Sequence, residues 1–420
     1  MAKRARVWTA LGVAMLAGSA TAEAAALKVH AELASPLVFI DSEGGEGGEG
    51  TEGGEGGGAA PTTYAIGSTD AGAFAYDGKP VVAAYAALVL KSYEEAKAEA
   101  QKLQAAVDAF LATPSDDSLK AARAAWVAAR PAYLRTETFR FYDGPIEDIE
   151  GNINAWPMNE AAIDYVEGNP NAGIINDGTT KIDEDTLEGL NQKKDEADVT
   201  VGWHAIEFLL WGQDLSADGP GNRPYTDYIA GTGNNDRRRA YLKLVTDHLV
   251  DELDELVDAW EPGDDSDYAR KFLALDQREA LGRIVNGMAI LAGFEFMSER
   301  LAVALDSGDQ EDEHSCFSDT TKQDFVQDLE GIKRVWTETG LDKLVASQDA
   351  ATATQVTALL ADAEQKVAKL GDPWDQVLAS PKDSPARKDA EAVVAALQGL
   401  ADGLKAAGNK LGVLVLIPTG

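Results

Sequence analysis

His204 and Glu207 stand three positions apart in the run Val201-Gly202-Trp203-His204-Ala205-Ile206-Glu207-Phe208-Leu209-Leu210-Trp211, where every other side chain is apolar. On a helix that spacing puts imidazole and carboxylate on one face, where they can converge on a single metal ion or hydrogen-bond each other. A helix that is apolar on every side is buried all round. A charged carboxylate inside it, left without a partner, costs several kcal/mol, so Glu207 requires a cation, a donor or a proton. The competing reading is a structural core network, in which the two residues pair mutually or with an arginine, and spacing alone leaves both open.

Other polar groups sit in similarly apolar surroundings. Glu137 continues the stripe Trp126, Ala129 and Tyr133 inside Arg135-Thr136-Glu137-Thr138-Phe139-Arg140-Phe141, and its carboxylate is expected to point inward. Glu295 continues Leu281, Val285, Met288 and Ala292 at helical steps and is expected to face a core or cleft. The segment Asp312-Glu313-His314-Ser315-Cys316-Phe317-Ser318-Asp319-Thr320 offers His314 as a further candidate ligand, or simply a loop that Ser318 caps at the start of a helix. His30 and His248 read as solvent-facing. Cys316 is the only cysteine, which excludes an internal disulfide and suits a small buried hydrophobe.

The elements that must position these groups read as helices. Tyr85, Leu88, Val89, Leu103, Val107 and Phe110 follow Pro80 on one helical face. A second helix is expected from the Ser115-Asp116-Asp117 cap, kinked at Pro131, running toward Arg140 and ended by Gly144-Pro145. Residues 144–200 are rich in Asn, Gly and Asp with little periodicity. Helical spacing returns at 201–211, in Leu242, Val245, Leu249, Leu253, Leu256 and Trp260, and over 273–305, 318–339, 350–370 and 384–411. Without a convincing alternating strand, the fold class is all-α, built from helix bundles. The expected division is a signal peptide at 1–22, a flexible tail with a Glu/Gly-rich linker at 23–76, a bundle carrying His204 at 77–240 and a second bundle at 241–420.

Export follows from Lys3-Arg4-Ala5-Arg6, the apolar run Val7 to Ala17 and Ala20-Thr21-Ala22, the order of a secretory signal. That run is too short for a permanent membrane anchor. Lys plus Arg number 37 against 71 Asp plus Glu, and the net charge of −34 repels phosphate backbones and anionic headgroups, so neither nucleic-acid nor membrane-surface binding is expected, and the shortness of the apolar runs argues against membrane insertion. From Ser42 to Gly58 the sequence is almost only Glu and Gly and reads as an extended tether. Contiguous calcium loops fail: one with Gly178 at the turn puts Gly173 and Ile175 at ligand positions, and one starting at Asp214 puts Tyr225 where a bidentate Glu belongs.

The run Gly202-Trp203-His204-Ala205-Ile206-Glu207 resembles the Gly-x-His-x-x-Glu motif of the imelysin family, with Phe208-Leu209-Leu210-Trp211-Gly212 following it. Glu137 to Pro145 (ETFRFYDGP), Asn154 to Met158 (NAWPM) and His314 to Thr320 (HSCFSDT) look like the family's other blocks, the last resembling its iron-regulated protein A branch. The resemblance spans roughly Pro80 to Leu411. It implies two helical bundles related by a pseudo-two-fold axis, a cleft between them, location in the periplasm or cell envelope, and expression linked to iron. His204 and Glu207 carry over as metal ligands directly, with Glu137, Glu295 and His314 after them. The function expected is binding of iron, with zinc as the alternative metal, in uptake or homeostasis alongside other envelope iron-uptake components. The other reading is an imelysin-type metallopeptidase, against which the chain has neither His-Glu-x-x-His nor Gly-x-Ser-x-Gly.

Overall fold

The computed structural model describes residues 64–65, 74–216, 219–263 and 268–418. The expected signal peptide, the Glu/Gly tether and His30 lie outside the described residues. Within them the fold is all-α, as expected, with one small exception: two-residue strands at Tyr64–Ala65 and Val413–Leu414 pair antiparallel.

Helix α1 (Lys79–Ala112) carries Pro80 in its first turn, where the missing N–H costs nothing, and buries Tyr85, Val89, Leu103, Val107 and Phe110. Helix α2 (Asp116–Leu134) starts as expected: Ser115 Oγ accepts from Ser118 N–H at 3.2 Å, the Ser115 N–H donates to Ser118 Oγ at 3.0 Å, and Asp116 and Asp117 complement the dipole. It does not run on to Arg140. It ends at Leu134, and Glu137–Phe139 forms a separate 3₁₀ turn. Gly144-Pro145 then opens a helix instead of ending one, because the fixed φ of proline suits the first helical position and Glu147 Oε2 accepts the Gly144 N–H at 2.6 Å; this is α3 (Pro145–Ile153). The aperiodic stretch to Thr200 contains further short helices at Glu160–Ile163, Gly173–Asn176 and Glu184–Glu188.

Helix α4 (Gly202–Trp211) is buried along its whole length. Helix α5 (Asn235–Trp260) packs against α1, α3 and α4, so the expected division at 240/241 cuts through a helix that belongs with the N-terminal group. Helix α6 (Gln277–Ile290) continues into a π-helical stretch, Leu291–Ala302, whose wider turns carry Glu295 and Arg300. Helices α7 (Thr321–Glu338), α8 (Ala350–Val367) and α9 (Pro385–Lys410) complete the second group, with α9 packed on α8, α6 and the π-helical stretch. The groups meet where α7 packs on α2 and where the 3₁₀ turn touches both α6 and α7. Gly287 of α6 makes that approach possible: a Cβ there would lie 2.5 Å from the Thr138 carbonyl oxygen. No described helix is long and apolar enough to cross a membrane.

Candidate metal centre and its ion-pair network

The chain enters α4 at Gly202 with φ of +88°, and a Cβ there would lie 2.5 Å from the Ile153 carbonyl oxygen. Glycine is therefore required by both conformation and the approach of α3. The indole N–H of Trp126 on α2 donates to the Trp203 carbonyl at 3.1 Å, and the two indoles pack edge to face at 6.1 Å. These contacts fix the rotation of α4 and turn His204 and Glu207 toward α2 and the loop before α7.

His204 is fully buried, with Nδ1 2.9 Å from Glu207 Oε2 and Nε2 3.1 Å from the Arg130 guanidinium. A guanidinium only donates, so Nε2 carries the lone pair and Nδ1–H donates to Glu207. The other oxygen, Glu207 Oε1, accepts from the Ser318 N–H at 3.0 Å and from Ser318 Oγ at 2.7 Å. Ser318 therefore does not cap α7. Thr320 holds that position without a side-chain bond, and the Ser318 hydroxyl serves the buried carboxyl, whose desolvation cost exceeds that of an exposed helix end. Burial pushes Glu207 up to about 8 against the Ser318 bonds and Arg130. Burial and then Arg130 hold His204 well below its ordinary value.

His314 lies beside it, the two rings 4.9 Å apart and steeply inclined, with Trp156 packed against both. Its Nδ1 is 2.8 Å from Asp324 Oδ2, which also accepts from Ser315 Oγ at 2.6 Å. Burial and then Arg300 hold this imidazole well below its ordinary value too.

Glu137 does point inward, but onto arginines. Its Oε2 accepts from Arg300 at 2.5 Å and from Arg140 at 2.8 Å. Burial pushes the carboxyl up, and Arg140 with Arg300 more than reverses this, leaving it well below the usual carboxylate range. Arg300 also donates to Asp328 Oδ2 at 3.1 Å and to Glu295 Oε1 at 3.0 Å. Glu295, Arg140, Glu150, Asn154, Trp156, Arg300 and His314 line a cavity of about 370 Å³.

The five expected ligands thus gather in one region without closing around one point. Among the described residues, the set that brings three ligand atoms within 4.8 Å of one another is a different one, Asp214, Asp319 and Asp375. Imidazole and carboxylate are suitable donors for iron or zinc, but the oxygens of Glu207 bond His204 and Ser318, Glu137 Oε2 is held by arginines, and Glu295 Oε1 is engaged by Arg300. The sequence reading missed Arg130, Arg300, Asp324 and Trp156. Arg130 and Asp324 occupy inward positions on amphipathic helices, and a charge at such a position was the available signal. His248 is corrected too: it is buried, within 3.3 Å of Glu184 and of Glu252, because its face of α5 packs on other elements instead of meeting water. Cys316 is free and buried, and burial pushes its thiol up.

Fold and site together define an all-α protein built around a buried Gly-x-His-x-x-Glu helix and an arginine–carboxylate network. The family model described as Imelysin, of the peptidase M75 group, matches residues 89–404, and the chain belongs to the imelysin family. Iron-regulated protein A of Synechococcus elongatus is 23% identical over 326 residues, which is 74% of this chain and 80% of that protein. The crystal structure described as an iron-regulated protein A precursor from Parabacteroides distasonis superposes with a TM-score of 0.65 at 18% identity, covering 84% of this chain and 98% of that one. An imelysin-like protein from Psychrobacter arcticus gives 0.61 at 15% identity, covering 82% and 99%.

Proposed function

We propose that this protein is an exported, non-catalytic component of iron homeostasis that binds iron or another transition metal, with His204 and His314 as its nitrogen ligands. The observation that carries the reading is the pairing of each imidazole with a carboxylate at Nδ1, Glu207 for one and Asp324 for the other, in rings 4.9 Å apart. A carboxylate at Nδ1 fixes the tautomer that leaves Nε2 to coordinate and raises its basicity. Binding requires Arg130 to leave His204 Nε2, and Asp324 Oδ2, already 3.9 Å from the guanidinium, is the carboxylate able to receive it. Glu207 then positions His204 instead of coordinating, while Glu137 and Glu295 balance Arg140 and Arg300. Further ligands come from water or from a small oxygen-rich chelator in the adjoining cavity, where those arginines favour an anionic one. The names of the relatives and the signal-like N-terminus support the link to iron and to the periplasm or envelope. A peptidase would need a carboxylate free to activate a metal-bound water, and the carboxylate of the motif has both oxygens engaged.

Titrating the purified chain with ferrous ion, zinc or ferric citrate tests this. His204→Ala and His314→Ala are each expected to weaken binding by at least about tenfold with helicity retained by circular dichroism. Equal affinity in wild type and both variants would reduce the motif to core structure and end the metal reading.

A further inference from the structure

A second group of carboxylates converges from three separate segments. Asp214 follows α4 by way of Gly212, Asp319 lies in the turn before α7, and Asp375 belongs to the short helix Trp374–Leu378. One oxygen from each lies within 4.8 Å of the others. Asp375 is only 1% exposed, Asp214 is buried and Asp319 partly so, and Glu313, wholly buried, stands beside Asp375.

This group lacks the cationic compensation that several other described buried acids have. Asp164, Glu137 and Asp328 each have an arginine, whereas among the described residues no lysine or arginine pairs with Asp214, Asp319, Asp375 or Glu313. Asp214 Oδ1 accepts the Ser216 N–H at 3.1 Å. Asp214 Oδ2, Asp319 Oδ1 and both oxygens of Asp375 are buried without a hydrogen-bond donor. Burial and the neighbouring carboxylates push Asp214 and Asp319 up to about 7. Uncompensated buried carboxylates cost several kcal/mol each, and a cluster of them adds repulsion, so it must either share protons or hold a cation.

We propose that Asp214, Asp319 and Asp375, with Glu313 beside them, bind a hard divalent cation of the calcium or magnesium class. The donors are all oxygen, with neither nitrogen nor sulfur among them, which disfavours soft and borderline metals. The contiguous loop beginning at Asp214 fails as a calcium site because its later ligands come from the turn before α7 and from the Trp374 helix. The ion would staple these three segments together. Asp319 directly follows Ser318, so the same ion would hold the turn whose backbone and hydroxyl bond Glu207.

The test uses the full chain stripped with a chelator and titrated separately with calcium and magnesium at 150 mM salt, where diffuse binding to surface acids is screened (Debye length about 8 Å). Saturable binding near one ion per chain is expected, with a Tm rise of about 3–5 °C at a hundred times Kd. Asp375→Asn removes a charge from an unpaired cluster and is expected to fold, yet to lose at least about tenfold in affinity together with the Tm response. Asp319→Asn serves as a second variant, since asparagine tolerates the φ of +57° found there. His204→Ala is expected to keep the calcium response, which separates this site from the transition-metal centre. The proposal is overturned if neither ion binds saturably, if both Asn variants bind like wild type, or if zinc or ferrous ion outcompetes calcium and magnesium here. It is also overturned if Asp375→Asn raises Tm while wild type ignores both ions, the signature of shared protons.

Discussion

Gly202→Ala is expected to destabilise the protein by about 3–5 kcal/mol, a large part of the 5–15 kcal/mol net stability of a typical domain. Contributions from conformation and packing add at this position. With φ at +88° the residue lies in the left-handed region, where a Cβ meets its own backbone at a cost of about 1–2 kcal/mol. The same Cβ would stand 2.5 Å from the Ile153 carbonyl oxygen and 2.8 Å from that of Asn152, distances that real Cβ atoms do not show. Those neighbours are backbone of α3 and cannot rotate away, so α4 or α3 must shift and carry His204 and Asn154 with it. Urea denaturation measures the loss. Gly178→Ala is the control, since nothing lies within 4 Å of a Cβ there, and its midpoint is expected to stay near wild type. Equal midpoints for the two variants would remove the steric account of the motif's glycine.

Arg300→Met, which keeps volume and removes charge, is expected to cost about 3–5 kcal/mol at neutral pH, because it strands Glu137 and Asp328 in the core with the hydrogen bonds they received from Arg300 lost. The sign of the pH dependence separates charge from packing. In wild type the folded Glu137 is held below its unfolded value by Arg140 and Arg300 despite burial. Its contribution is therefore fully present above the unfolded pKa of about 4.3 and is lost as pH falls through the lower folded value. Removing Arg300 takes away part of that contribution, so the gap between wild type and variant should be widest near neutrality and narrow below about pH 4. Denaturation midpoints across pH 3 to 8 would measure this, and a gap independent of pH would assign the loss to packing alone.

These effects rest on residues whose legibility in the sequence was unequal. The cap at Ser115, the buried run of α4 and the inward direction of Glu137 are local properties, written in side-chain type and helical spacing, and they appear where expected. The end of α2 was not legible, because Glu137 and Arg140 kept the apparent stripe going while the backbone left the helix for a turn shaped by contacts with α6 and α7. Ser318 was misread for a related reason: as a residue just before a helix it looks like a cap, and only the arrival of α4 makes a buried carboxyl its better partner.

From the sequence alone came the all-α class, the apolar helix around His204 and Glu207, and the need of Glu207 for a partner, since propensity, periodicity and the cost of burying charge act over a few residues. The tertiary structure decided which partner. Arg130 reaches His204 across 74 positions, Ser318 reaches Glu207 across 111 and Arg300 reaches Glu137 across 163. It likewise gathered Asp214, Asp319 and Asp375, which nothing in local spacing relates. Such pairings depend on which helix faces pack together, and packing is set by the sum of contacts over the whole chain.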